Sequence, residues 1–260
     1  MFSQGIRYDF KKEVVLITGA ARGIGEAASH EFAQSNARLV LVDIDQNNLD
    51  SLKNELASTM DEKDILLIKT DISNPKDVMT MTQEAIGYFG RIDVLFNNAG
   101  INKRIPLLEV TFEDWRRIMS VNLDGMFLVA QAVGREMIKK KRGKIVNTAS
   151  MSGFIVNENL NDGIYCTTKA AIVMLTKALA VEWAEFNVQV NAIAPGYTKT
   201  PLVKKLIEDP KVHQELLDRT PMHRLAEPHE IAKAVLYLAS SDTTYLTGHT
   251  LKIEGGYTIW

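Results

Sequence analysis

The 260-residue sequence predicts an α/β fold in which a doubly wound parallel sheet of about seven strands carries helices on both faces. Three observations support this. Short aliphatic or β-branched runs alternate with longer amphipathic ones. The strand runs lack period-two alternation, so both of their faces are buried. Gly19, Asn97, Ser150 and Pro195 fall at or just past the carboxyl ends of expected strands, where sheets of this kind bind ligands.

Taken in order, residues 14–17 form the first strand and 24–34 the first helix. The strand at 39–42 precedes a helix over 47–58, where Leu49, Leu52 and Leu56 recur at helical spacing. The strand at 65–68 leads to a helix over 75–89 that opens on Pro75, a residue favoured in a first helical turn. A strand at 92–96 runs into Asn97-Asn98-Ala99-Gly100, and a long helical region covers roughly 111–137. The strand at 144–147, the helix carrying Tyr165, the strand at 188–193, two helices and a last strand at 250–253 complete the chain. No repeat, linker or low-complexity segment interrupts it, which points to one domain over 1–260.

Apolar residues make up 46% and charged residues 24%, the balance of an ordinary globular protein. A formal charge of −2 offers no electrostatic case for nucleic acid or an anionic membrane. The one basic run, 139–142, reads as a solvated helix end before Gly143. A single cysteine, Cys166, excludes an intramolecular disulfide, suits a reducing cytosol, and lacks the histidine partner of a nucleophile. There is no signal-peptide core, and the apolar stretch 170–183 is short and interrupted by Thr176, Lys177 and Glu182. The expectation is a cytoplasmic protein without a metal.

Tyr165 and Lys169 lie four apart, so on a helix a phenol and an ammonium project from one face. A free phenol titrates near pH ~10, and exchanging a proton with an alcohol near neutrality calls for a shift of about 2–3 units, or roughly 3–4 kcal/mol. A neighbouring cation favours the phenolate. The same spacing at Tyr8 and Lys12 lies in a charged stretch ahead of the first strand, without polar partners, and reads as coincidence. Gly19, Gly23 and Gly25 follow a strand and open a helix, allowing a tight turn whose helix N-terminus offers free N–H groups to a pyrophosphate. Asp43, ending the second strand, can accept ribose hydroxyls and would repel a 2′-phosphate, which argues for NAD over NADP; Asp45 is its rival. Asp71 and Ile72 end the third strand, where the carboxylate could meet adenine or cap the next helix. Asn97 reads as structural, holding neighbouring strands.

Thr18-Gly-x-x-x-Gly-Ile-Gly25, Asn97-Asn-Ala-Gly100, Asn122, Ser150, Tyr165-x-x-x-Lys169, Pro195-Gly196 and the closing Gly255-Gly256 together resemble the short-chain dehydrogenase/reductases, from about Lys12 to the end. The resemblance implies a single-domain Rossmann fold, a nicotinamide cofactor and a catalytic tetrad of Asn122, Ser150, Tyr165 and Lys169. Tyr165 would be the base in alcohol oxidation and the acid in reduction. Lys169 would hold the nicotinamide ribose and lower the phenol's pKa, Ser150 would orient the substrate oxygen, and Asn122 would place a water linking Lys169 to solvent. Pro195, Gly196 and Thr198 would contact the nicotinamide end. Arg22 and Ile24 in the glycine turn, and Asn98, Ala99 and Gly100 after the fourth strand, would contact the rest of the dinucleotide. The implied assembly is a homotetramer, to which an apolar second face of the Tyr165 helix and the terminal Ile259-Trp260 would contribute.

Two features depart from the pattern. Ala149 stands where many members have a first serine, and the interval from Ser150 to Tyr165 is longer than usual. Ser152 would restore the interval, but Ser150-Met-Ser-Gly153 matches the family's Ser-x-x-Gly only from Ser150, so the extra residues are placed in 157–162. That amide- and carboxylate-rich segment, beginning at Asn157, can pair with several hydroxyls. Asn102, Lys103 and Arg104 follow the Asn-Ala-Gly turn, and the two cations could meet a carboxylate. The expected substrate is a small polar molecule: a sugar, polyol or sugar acid, as in the gluconate 5-dehydrogenase-like branch that the chain's ending also resembles. Two alternatives stand beside it: a 3-oxoacyl-type ketoreductase, which Asp43 disfavours, and a non-catalytic NAD-binding regulator, which the intact tetrad disfavours.

Overall fold

The computed structural model describes residues 8–158 and 160–259, apart from the side chain of Lys205. Seven parallel strands form one sheet: β1 (Val14–Thr18), β2 (Arg38–Asp43), β3 (Ile65–Lys69), β4 (Val94–Asn97), β5 (Gly143–Thr148), β6 (Val188–Pro195) and β7 (Thr250–Ile253). Their spatial order is β3-β2-β1-β4-β5-β6-β7. The order reverses between β1 and β4, which opens a crevice at their carboxyl ends.

Alternate residues of each strand feed two cores. Val15, Ile17, Leu39, Leu41 and Phe96 pack with Phe32 of α1 (Gly23–Gln34), Leu49 of α2 (Gln46–Leu56) and Val235 of α9 (Pro228–Ala239). On the other face, Val14, Leu16, Val40 and Leu95 pack with Met81 of α3 (Pro75–Phe89), Val133 of α5 (Met126–Lys140) and Leu179 of α6 (Gly163–Trp183). Side chains this fully buried contribute about 1.5–3 kcal/mol each, so both faces must stay covered and the strand ends are held rigidly.

A polar row crosses the sheet near those ends. Register places Thr18 beside Asn97 and Asn97 beside Asn147. The Asn97 amide donates to Asn147 Oδ1 at 3.2 Å and to the Met126 carbonyl at 2.8 Å; Asn147 donates to Thr176 Oγ1 at 3.0 Å. Asn97 therefore ties β4 to β5 and α5, the structural part read for it from sequence.

Three features differ from the sequence expectation. The long helical region divides into α4 (Phe112–Met119), a π-helical turn (Ser120–Gly125) and α5. A side chain at Gly125 would come within 2.9 Å of Ile72, so the wide turn seats the helix against the loop after β3. Between β6 and β7 three helices form rather than two: α7 (Pro201–Ile207), α8 (Pro210–Asp218) and α9, each with proline in its first turn. The Asp209 carboxylate accepts the N–H groups of Lys211 and Val212, which separates α7 from α8. Finally, the segment Gly163–Phe186 is longer than the apolar stretch at 170–183; its 24 residues are long and apolar enough to cross a membrane by length and composition. Half of its apolar window is buried in the protein, where Ile172 and Leu179 join the cores.

The second tyrosine–lysine pair dissolves in three dimensions. Tyr8 packs beside Phe10 on the core, and Lys12 sits in a turn at φ +69°, so the two share no helix face. Lys139 and Lys140 occupy the last turn of α5, with Lys139 paired to Glu136 and Arg142 to Glu13, as expected of a solvated helix end.

Candidate active site

A cleft of about 620 Å³ runs along the strand ends from Asp43 to Tyr165. The glycine turn forms its floor. Gly19 adopts φ +63° and Gly23 φ +61°, backbone that L side chains rarely adopt. A side chain at Gly25 would place its Cβ 2.0 Å from the Gly19 carbonyl oxygen. Gly25 does not line the cleft; it lets the turn close beneath Gly19, Arg22, Gly23 and Ile24, which do. Thr18 Oγ1 accepts the N–H groups of Asn98 and Ala99 at 2.9 and 3.2 Å, and the Asn98 amide returns to the Thr18 and Gly19 carbonyls, both at 3.2 Å. At the start of α1 the N-cap residue Arg22 makes no side-chain cap and the Glu26 carboxylate accepts the Gly23 N–H at 3.2 Å; the remaining N–H groups of the glycine-flanked turn form the kind of cradle that suits a pyrophosphate.

At one end of the cleft the Asp43 carboxylate accepts the N–H groups of Ala21 and Asp45, each at 3.1 Å, which fixes it beside the turn. Asp45 instead caps α2 through the Asn48 N–H and does not line the cleft. Asp71 also lines the cleft with Ile72, but its carboxylate holds its own turn through the N–H and hydroxyl of Ser73; Asn74 caps α3.

Tyr165, Lys169 and Ser150 meet at the other end. Lys169 is buried, its Nζ 5.4 Å from the centre of the Tyr165 ring and donating to the Thr148 carbonyl at 2.6 Å. The Ser150 hydroxyl stands beside the phenol, where it favours the phenolate, and accepts the Ser152 N–H at 3.1 Å. The Ser152 hydroxyl accepts from Asn157 at 2.7 Å. It is Ser150, therefore, that reaches the phenol. Asn122, wholly buried in the π turn, accepts the Ile101 N–H and donates to the Ile101 carbonyl, both at 2.8 Å, and to Thr168 Oγ1 at 3.3 Å. Gly100 lies over both groups: a Cβ there would stand 3.4 Å from Asn122 Oδ1 and 3.7 Å from Lys169 Nζ.

Burial governs the charges. It pushes the phenol up to about 12, against the pull of the Ser150 hydroxyl; Asp162 and Cys166 raise it further and Arg104 lowers it. Burial also brings Lys169 down to about 8. In the chain by itself the ammonium does not bring the phenol toward neutrality, because desolvation penalises both charged forms. Cys166 is buried and pushed up to about 12, by burial and then by the Asp162 carboxylate that its Sγ faces at 3.3 Å, which makes it the inert thiol expected.

Beyond the phenol, four polar atoms are buried without hydrogen-bonding geometry to any described group: Asn102 Oδ1, Arg104 Nε, Asn157 Oδ1 and the Tyr197 hydroxyl. All four residues line the cleft. Lys103, expected beside Arg104, instead pairs with Asp114 at 2.6 Å outside the cleft. Arg104 forms no ion pair among the described residues. Pro195, Gly196 and Thr198 line the wall opposite. One further residue escaped sequence reasoning. Tyr197 follows Pro195-Gly196 directly, a position that was itself the available signal. Asp162, buried one helical turn before Tyr165, accepts from the Asn157 amide at 3.1 Å. Of the segment 157–162, Asn159 lies outside the described residues.

Residues 19–258 match a family model described as enoyl-(acyl carrier protein) reductase. The chain is 41% identical over 244 residues, 94% of each protein, to galactitol 2-dehydrogenase (L-tagatose-forming) of Cereibacter sphaeroides. It is 39% identical to a 3-oxoacyl-[acyl-carrier-protein] reductase of Thermotoga maritima, covering 95% of this chain and 98% of that one. Among solved structures it is similar to a gluconate 5-dehydrogenase from Burkholderia cenocepacia in complex with NADP and tartrate, with a TM-score of 0.91, 35% identity and 98% of each chain covered. The coverage, the sheet order and the assembled Ser150–Tyr165–Lys169 corner agree: the chain is an oxidoreductase of the short-chain dehydrogenase/reductase family.

Proposed function

We propose that this chain is an NAD-dependent oxidoreductase that moves a hydride between nicotinamide and a secondary alcohol or ketone of a sugar, polyol or sugar acid. The observation that carries the substrate class is the set of unpartnered buried atoms around the phenol. Asn102 Oδ1 and Asn157 Oδ1 are acceptors that call for hydroxyl donors, and Arg104 Nε is a cationic donor that suits a carboxylate. An acyl chain would leave all three unpaired, each at a cost of about 1–3 kcal/mol. The relatives include both a galactitol dehydrogenase and an acyl-carrier reductase, and these atoms favour the first.

When bound, the nicotinamide supplies the hydride donor or acceptor. The glycine turn and α1 would hold the pyrophosphate, Asp43 the adenosine ribose, Asp71, Ile72, Asn98, Ala99 and Gly100 the remaining length, and Lys169, Pro195, Gly196 and Thr198 the nicotinamide end. The chain's own residues handle the proton. Ser150 holds the substrate oxygen against Tyr165, which takes the hydroxyl proton in oxidation and returns it in reduction. Asn122, its side chain held by Ile101 and Thr168, would place a water that links Lys169 to solvent. Fixed by two backbone N–H groups, the Asp43 carboxylate opposes a 2′-phosphate, which supports NAD as the cofactor. A homotetramer fits the exposed Met174 and Val181 on the second face of α6; Trp260 lies outside the described residues.

Absorbance at the reduced-nicotinamide band tests the proposal over polyols, sugars, aldonates, acyl thioesters and steroids, with NAD and NADP separately. Turnover of polyhydroxy compounds with NAD preferred is expected, and Arg104→Ala should raise KM for aldonates about tenfold or more while sparing neutral polyols. Turnover confined to acyl thioesters or steroids would overturn the substrate class, and a preference for NADP would overturn the role of Asp43.

A further inference from the structure

The sequence leaves Tyr197 without a task, and the structure gives it an unusual position. Its main chain is held on both sides: the Tyr197 carbonyl accepts the Ala226 N–H at 2.9 Å, and the preceding Gly196 N–H donates to the Ile253 carbonyl at 2.9 Å. Thr198, the next residue, forms a parallel bridge with Ala226. The ring packs edge-on against Tyr257, with centroids 5.4 Å apart and planes at 75°. Such a side chain is positioned before any ligand arrives.

Tyr197 also borders two cavities. Tyr197 lines the main cleft and also a second cavity of about 140 Å³, walled on the far side by Thr220, Met222, Arg224, Glu230 and Glu254. The Arg224–Glu230 pair, at 2.6 Å, and the carboxylate of Glu254, which accepts the Thr258 N–H, give that cavity a polar wall. The Tyr197 hydroxyl is buried near that of Tyr257 but meets no partner in hydrogen-bonding geometry, and it feels the charges of Arg104 and Asp162. Burial, and then Tyr257, push its pKa up, so it remains a neutral O–H donor. A buried neutral donor beside Arg104 calls for an oxygen acceptor from a ligand.

We propose that Tyr197 is a specificity-determining residue of this site: its hydroxyl donates to an oxygen of the substrate remote from the reacting carbon, and its ring sets the substrate's length by closing off the second cavity. The favoured substrates are then short, unbranched polyhydroxy compounds of single-sugar size. This rests on the reading of the cleft as a site for polyhydroxy substrates. A longer molecule, such as a sugar alcohol carrying a second sugar, meets the Tyr197 ring.

Steady-state kinetics on Tyr197→Phe and Tyr197→Ala, with a hexitol and its aldonate beside a disaccharide alcohol, test both halves. NADH fluorescence titration in each variant reports whether the dinucleotide site is intact. Tyr197→Phe should raise KM for the single-sugar substrate roughly tenfold with kcat changed by less than about threefold. Tyr197→Ala should raise kcat/KM for the disaccharide alcohol relative to the hexitol by about tenfold or more, as the cavity joins the cleft. Variants that bind NADH like the parent and leave both KM and the length ratio unchanged overturn the assignment of Tyr197 alone. A parent enzyme that turns over no polyhydroxy compound overturns the substrate reading, and this assignment with it.

Discussion

Replacing Tyr165 with Phe is expected to lower kcat by about 10²–10⁴-fold, the span general acid–base catalysis contributes, with NADH affinity retained. The ring would stay packed over Lys169 Nζ and beside Ser150, so only the proton-bearing oxygen is lost. The pH dependence has opposite signs in the two directions. With the phenol at about 12 in the chain alone, the acid form needed for reduction is present throughout the neutral range and is lost only as pH rises through that value. Below that value the base fraction needed for oxidation already grows with pH, so across the neutral range kcat/KM for the alcohol should climb while that for the ketone stays flat. Profiles of both directions, with the Phe variant as reference, check this. Retention of more than about a tenth of kcat by the variant would remove Tyr165 from proton transfer.

Gly25→Val is expected to be nearly as severe, by a different route. Its Cβ would sit 2.0 Å from the oxygen and 2.8 Å from the carbon of the Gly19 carbonyl, both backbone atoms that cannot step aside. The turn must open, at a cost of about 3 kcal/mol or more, which at this chain length lowers Tm by roughly 6 °C or more. Since the same turn shapes the anion cradle, NADH affinity should fall at least about a hundredfold. Gly87, in the last turn of α3 with nothing within 4 Å of a built Cβ, is the control: Ala there should stabilise by up to about 0.5–1 kcal/mol. Calorimetry and NADH titration on both variants separate the two outcomes. Wild-type Tm and affinity in Gly25→Val would mean that the turn does not close as described.

Where local pattern suffices, the sequence was readable in detail. The helix expected over 75–89 forms as Pro75–Phe89, because Pro75 and Asn74 start it and Gly90, at φ +76°, stops it. The last strand forms at Thr250–Ile253. What escaped depends on contacts between distant segments. A π turn at Ser120–Gly125 keeps the helical periodicity of apolar residues, and only the approach of Ile72 to Gly125 distinguishes it. Lys103 and Arg104 are adjacent cations in sequence, but Asp114 captures the first and leaves the second facing the cleft. The two members of the phenol–ammonium pair share one helix as expected, while the desolvation that moves both of their pKa values belongs to the assembled interior. Tyr197 and Asp162 acquire meaning only through the walls they share with Arg104 and Asn157.

Direct transfer of a hydride at the Ser150–Tyr165–Lys169 corner is the central claim. It is tested most directly with NADH deuterated at the transferable nicotinamide position, the ketone form of a substrate that the enzyme turns over, and proton and deuterium NMR of the product. Deuterium should appear at the new carbinol carbon, in one configuration and without exchange with solvent. Deuterium that remains on the nicotinamide or is washed into water would contradict the account.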